Sequence, residues 1–157
     1  MTRRELLASV LVIAAGLTGC GGGPPEIAWN SETCDFCRMT ISERRFAAAA
    51  TTATGRTVRF DAIECLAGWV LAQPQGPRAI WVTDAERPGT LIPVDNARFF
   101  RLASGHSPMG KGFIAVAATR DLPLMAAKYG EGPLTWDQIR VIVRREGATP
   151  AHSAGSN

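Results

Sequence analysis

The sequence predicts an α+β fold assembled from ββα units. Three observations carry that expectation. Arg56-Thr57-Val58-Arg59-Phe60 alternates polar and apolar residues, the period-two pattern of a half-buried strand. Directly after it, Ile63, Leu66, Ala67, Val70 and Leu71 recur at helical spacing until Pro74, which stops a helix. Strand-like and helix-like segments then come in local groups rather than in strict βαβ alternation, which separates α+β from α/β.

The first strand pair is expected over residues 46–54, rich in small residues and threonine, and 56–60, turning at Thr54-Gly55. Asp61 is placed to cap the helix that follows, with Glu64 three residues on as its capping-box partner. Residues 79–83 and 90–94 read as two strands of a second unit around a turn at Glu86-Arg87-Pro88-Gly89, with Pro93 at a sheet edge. Phe99 and Phe100 read as core, and residues 113–117 as a buried strand. Residues 122–129 read as a helix closed by Gly130. Thr135 caps a last helix, with Gln138 as its box partner and Trp136, Ile139, Val141 and Ile142 available for packing. Identity between the two ββα-like stretches is too low to establish a repeat. The folded domain is expected over residues 28–146. Residues 147–157 form a small, polar tail expected to be disordered, which leaves His152 without a fixed role.

Residues 1–19 read as a lipoprotein signal peptide. Arg3 and Arg4 start it, and residues 6–16 form an apolar run too short to span a bilayer as a helix. Leu17-Thr18-Gly19-Cys20 resembles a bacterial lipobox, in which Cys20 becomes the lipidated first residue. Residues 20–27, opening Cys20-Gly21-Gly22-Gly23-Pro24-Pro25, are a flexible tether that keeps the domain clear of the membrane. The protein is therefore expected on the periplasmic face of a bacterial membrane, the outer membrane ahead of the inner. The paired arginines suit twin-arginine export as well as the general secretory route. A net charge of +3, spread without a basic stripe or interleaved aromatics, argues against a nucleic-acid partner.

The chemistry concentrates in Thr33-Cys34-Asp35-Phe36-Cys37-Arg38-Met39-Thr40. A turn brings Cys34 and Cys37 together, for a disulfide or for shared metal ligation. If the chain extends after Cys37, Met39 points to the same face. Two thiols and a thioether outside the cytoplasm make a soft donor set suited to Cu(I). No second Cys-x-x-Cys and no paired histidines accompany them, which argues against a structural zinc site. A thioredoxin-like pair would open a long helix, and the residues after Cys37 carry no sustained apolar helical face. His106-Ser107-Pro108-Met109-Gly110-Lys111-Gly112 forms a second cluster on an irregular loop, where an exposed Met109 and His106 can serve one ion or merely form a turn. Cys65 reads as a small core residue, with a disulfide or reserve-ligand role as the alternative. No Ser-His-Asp arrangement and no phosphate-binding glycine loop is present.

The lipobox, Cys34-x-x-Cys37-x-Met39, Phe60-Asp61 opening a helix with Cys65, and Ser107-Pro108-Met109-Gly110 together resemble the NosL family. The resemblance covers nearly all of the chain after Cys20. It implies a fold of ββα units in two lobes, similar to the alkylmercury lyase core. It also implies a non-enzymatic, lipid-anchored metallochaperone that carries Cu(I) to the copper-sulfur site of nitrous oxide reductase or to its maturation machinery. The family pattern places metal ligation on Cys34, Cys37, Met39 and Met109, with His106 beside them. The alternative is a periplasmic thiol-disulfide oxidoreductase using Cys34 and Cys37, which would need neither methionine.

Overall fold

A computed structural model describes residues 22–148. The signal peptide, the lipidation of Cys20, most of the tail and His152 lie outside the described residues. The architecture is α+β, with two antiparallel sheets and three α-helices among the described residues. Among the described residues no helix is long and apolar enough to cross a membrane.

Strands β1 (Ala48–Thr51) and β2 (Thr57–Phe60) form the expected hairpin, with Ala48 opposite Phe60 and Thr51 opposite Thr57. Thr52 closes the turn: its amide donates to the Arg56 carbonyl and its hydroxyl accepts from the Arg56 amide. Ala48, Ala49 and Ala50 are all fully buried. Alternating faces of a strand point opposite ways, so β1 is covered on both sides, which explains its run of small side chains.

Helix α1 (Ile63–Ala72) follows, but not with the expected cap. Ala62 occupies the N-cap position and no side chain caps the helix. Asp61 is instead turned to Cys37, and Glu64 is fully buried against a distant loop. Both acidic groups are used in tertiary contacts, which the local capping pattern does not anticipate.

Strands β3 (Ala79–Thr83) and β4 (Leu91–Pro93) complete the first sheet rather than opening a second unit; its order is β2-β1-β3-β4. Pro93 lies on the edge strand, as expected. A single 3-10 turn (Val94–Asn96) leads into β5 (Ala97–Leu102), which pairs with β6 (Phe113–Ala117). Helix α2 (Leu122–Tyr129) follows, capped by Asp121, whose carboxylate accepts from the Leu124 amide. Strand β7 (Gly130–Leu134) then pairs with the other side of β5, giving the order β6-β5-β7.

The two sheets therefore share one topology. β1-β2-α1-β3 and β5-β6-α2-β7 are both ββαβ units with the first strand in the centre. This likeness is invisible in the residues because β7, Gly-Glu-Gly-Pro-Leu, lacks strand formers. Its glycines are required by close approach. A Cβ on Gly132, at φ 156°, would sit 2.5 Å from the Phe100 ring and 2.7 Å from the Phe99 carbonyl oxygen.

The units are joined in two places. The Ala85 amide donates to the Ala115 carbonyl, linking the end of β3 to β6. Helix α3 (Trp136–Glu146), with the expected Thr135–Gln138 capping box, packs on α1 and β5. Ile139 and Val143 form its buried stripe, while Val141 is 58% exposed and corrects the expectation that it packs. One turn of helix separates 139 from 143, whereas 141 falls on the opposite face. The fold reaches beyond its expected limits at both ends, since Ile27 and Ala148 are buried. Ala148 and the Phe36 ring lie against Gly68, leaving no room for a side chain there.

Candidate metal centre

The Cys34 segment is a tight hairpin. Thr33 bridges Thr40, the Cys34 amide donates to the Met39 carbonyl, and the Arg38 amide donates to the Cys34 carbonyl. Asp35 docks this hairpin on β2. Its amide donates to the Arg59 carbonyl and its carboxylate accepts from the Arg59 amide, both at 2.8 Å. Two residues later β2 delivers Asp61, and the first turn of α1 delivers Cys65. The Asp35–Arg59 pairing thus sets the register between the two halves of the site.

The result is a cluster of four donors. The sulfurs of Cys34, Cys37 and Cys65 and a carboxylate oxygen of Asp61 all lie within 4.8 Å of one another. Four ligands about 2.3 Å from one ion would stand roughly 3.8 Å apart, so small side-chain adjustments would close the set. Cys34, Cys65 and Asp61 are buried and Cys37 is half-buried, so solvent reaches the cluster on the Cys37 side. Among the described residues no two cysteines are bonded to each other.

The cluster separates its thiols electrostatically. The Cys65 thiol donates to Cys34, and against the opposing effect of burial the backbone N–H groups of Cys37, Asp61 and Phe36 add to it. Together they bring Cys34 down to about 7. Burial, followed by the negative charges of Cys34 and Asp61, drives Cys37 up to about 12. Its thiol donates to both Asp61 oxygens at 3.3 Å. Cys65 is raised further, by its bond to Cys34 and by burial. Near neutral pH Cys34 is at the midpoint of its titration, while Cys37 and Cys65 stay protonated and must release protons to a metal.

The chain does not extend directly from Cys37, the condition under which Met39 would share its face. Arg38 adopts φ 70°, which ends the turn, and Met39 stands 43% exposed. The second loop is also reorganised relative to expectation. Met109 is 6% exposed and belongs to the core cluster containing Cys34 and Cys65. His106 points the other way: it is exposed, its Nε2 lies 3.5 Å from a Glu43 carboxylate oxygen, and its ring meets the edge of Phe46. The structure does not bring His106 into the four-donor cluster.

Sequence reasoning missed Asp61 as a donor and ranked Cys65 as core. The available signal was their spacing. Asp61 and Cys65 are four apart at a helix start, where residues share one face. They also supply the third and fourth donors whose absence had argued against zinc, so donor count no longer excludes it. Three sulfurs leave the set compatible with copper. The local geometry further departs from a thioredoxin-like pair, because Cys34 and Cys37 sit in a hairpin turn and open no helix.

The NosL family profile matches residues 27–141. The fold is similar to a solved structure described as the copper chaperone NosL from Shewanella denitrificans. That match has a TM-score of 0.61 at 19% identity and covers 73% of this chain and 96% of that one. No curated protein matches the sequence. The ββαβ units and the profile match agree over most of the chain, and the chain belongs to the NosL family.

Proposed function

We propose that this protein is a membrane-tethered Cu(I) chaperone. Copper is its cargo, held by thiolates from Cys34, Cys37 and Cys65 with Asp61 alongside, and by thioethers from Met39 and Met109. The observation that carries the reading is the convergence of three sulfurs and a carboxylate within 4.8 Å, half-open to solvent. Soft thiolate and thioether donors favour Cu(I). The open side lets a client's ligands replace these one at a time. The protein is not an enzyme; its work is ligand exchange. His106 lies outside the four-donor cluster, with its Nε2 3.5 Å from a Glu43 carboxylate oxygen.

The client we propose is nitrous oxide reductase, at its copper-sulfur site, or the machinery that matures it. Family membership supports this, and so does the Shewanella relative described as a copper chaperone. The lipobox ending at Cys20 supports an anchor on the periplasmic face of the outer membrane. The deciding experiment is titration of the reduced protein with Cu(I) against a competing chelator. One copper per chain, lost in a Cys34→Ser/Cys37→Ser variant, is the expected result. No uptake by the reduced protein would sink the reading.

The thiol-disulfide alternative has one observation in its favour, the lowering of Cys34 to about 7. It leaves Cys65, Asp61 and the methionines without a purpose. Substantial disulfide reductase activity without copper binding would establish it instead.

A further inference from the structure

Glu64 is fully buried, yet it makes no cap and is not one of the four clustered donors. Its Oε1 accepts from the Ser107 hydroxyl at 2.5 Å and from the Lys111 amide at 3.2 Å. The Ser107 oxygen in turn accepts from the Gly112 amide at 2.9 Å. These bonds span the loop that carries Met109. The loop is closed at its neck, where the Leu102 amide donates to the Gly112 carbonyl and the Gly105 amide donates to the Leu102 carbonyl. Gly105 and Gly112 are pressed together there: a Cβ on Gly112 would lie 3.0 Å from the Gly105 Cα. Beyond the neck, Arg101 Nε donates to the Lys111 carbonyl and Lys111 Nζ to the Glu146 carbonyl, so those bonds hold the loop only at 111. Glu64 holds both sides of Met109, at 107 and at 111. It is also the immediate neighbour of Cys65, so the grip is made at the helix turn that carries a metal-site sulfur.

A buried carboxyl is expensive unless its bonds repay the lost hydration. Oε2 of Glu64 has no hydrogen-bond partner among the described residues. Packing alone would be served better by an apolar side chain, so the residue's presence calls for a positional reason. We infer that Glu64 and Ser107 form a latch that positions the Met109 thioether against the cysteine cluster, setting copper affinity without touching the metal. This rests on the chaperone reading for its consequence, but the latch itself can be read without copper.

The test has two arms. In the copper-free protein, amide hydrogen exchange across residues 105–112 should rise in Glu64→Ala and in Ser107→Ala, while β1 and β3 stay protected. Unchanged exchange in that loop would overturn the latch whatever the protein binds. In the second arm, Cu(I) competition is run on Ser107→Ala in wild-type and Met109→Leu backgrounds. Loss of an outer contact to a metal site typically costs about tenfold or more in affinity. That loss should appear with Met109 present and vanish in Met109→Leu. Glu64→Gln, which keeps an oxygen for Ser107, should retain more affinity than Glu64→Ala. An equal loss in both backgrounds would reduce the pair to ordinary packing. Should Glu64→Ala not fold, Ser107→Ala, which removes one hydroxyl, carries both arms. Wild-type protein that takes up no Cu(I) would instead defeat the chaperone reading and leave the exchange result to judge the latch.

Discussion

The Cys37 sulfur lies 3.3 Å from both carboxylate oxygens of Asp61. Its proton therefore points at a negative group while Cys65 points its own at Cys34, which leaves Cys34 the first of the three to ionise. The three thiols should not titrate together. Ultraviolet thiolate absorbance of the unloaded protein should show one step near about 7 and the next only near about 12. A single joint step near the ordinary thiol value of about 8.5 would contradict the hydrogen-bond pattern.

Cys65 is the donor to Cys34, so its removal should act at a distance from its own sulfur. Cys65→Ala should raise the Cys34 titration above about 7 and weaken Cu(I) binding together. A variant with an unshifted Cys34 and wild-type copper affinity would return Cys65 to the role of core filler. A small cavity is the accompanying cost, and thermal denaturation should show only a modest loss.

Four donors make zinc a real competitor. Softness should still decide: the reduced protein is expected to keep Cu(I) in the presence of equimolar Zn²⁺. Met109→Leu is the sharper variant, because it keeps volume and removes the sulfur. Leu-for-Met swaps usually cost under about 1.5 kcal/mol, whereas Met109→Ala would empty buried space and lose roughly 2–5 kcal/mol. Met109→Leu should therefore fold like wild type and narrow the preference for Cu(I) over zinc. An unchanged preference in competition assays would remove Met109 from the site.

Asp84 is fully buried between Arg87 and Arg120, at 3.1 and 2.9 Å. Burial alone would raise its pKa, but the hydrogen bonds from Arg120 and Arg87 outweigh that and hold it below the ordinary value. A depressed folded pKa contributes stability above the unfolded value of about 3.9 and loses it as pH falls through the folded value. Asp84→Asn should cost about 1–3 kcal/mol at neutral pH. The difference from wild type in denaturant melts should shrink in strong acid. A gap that stays constant to low pH would assign the loss to packing.

The anchor is tested at Cys20. Cys20→Ser should release the protein to the soluble periplasmic fraction or block its processing. Stable anchoring needs more than one chain, at about 0.8 kcal/mol per buried CH₂. A cleaved serine variant that still sediments with membranes would rule out a lipid at this position.

By itself the sequence determined the local elements whose signals are local: the β1–β2 hairpin turning at Thr54-Gly55, the Thr135–Gln138 capping box, the α2 helix ending at Gly130. It also determined the soft-donor pair Cys34 and Cys37, because a turn of four residues brings them together in any fold. Tertiary structure decided the rest. Strand β7 exists only because β5 offers an edge and glycine allows close approach, neither of which is written in Gly-Glu-Gly-Pro-Leu. Asp61 and Glu64 have the spacing of a capping box, yet each is drawn into a longer-range bond, to Cys37 and to Ser107. Met109 is buried and His106 exposed, although both occupy one glycine-rich loop, because Glu64 grips that loop from one side. Donors brought from a hairpin, a strand end and a helix turn meet only when Asp35 pairs with Arg59, and a spacing pattern along the chain has no access to that register.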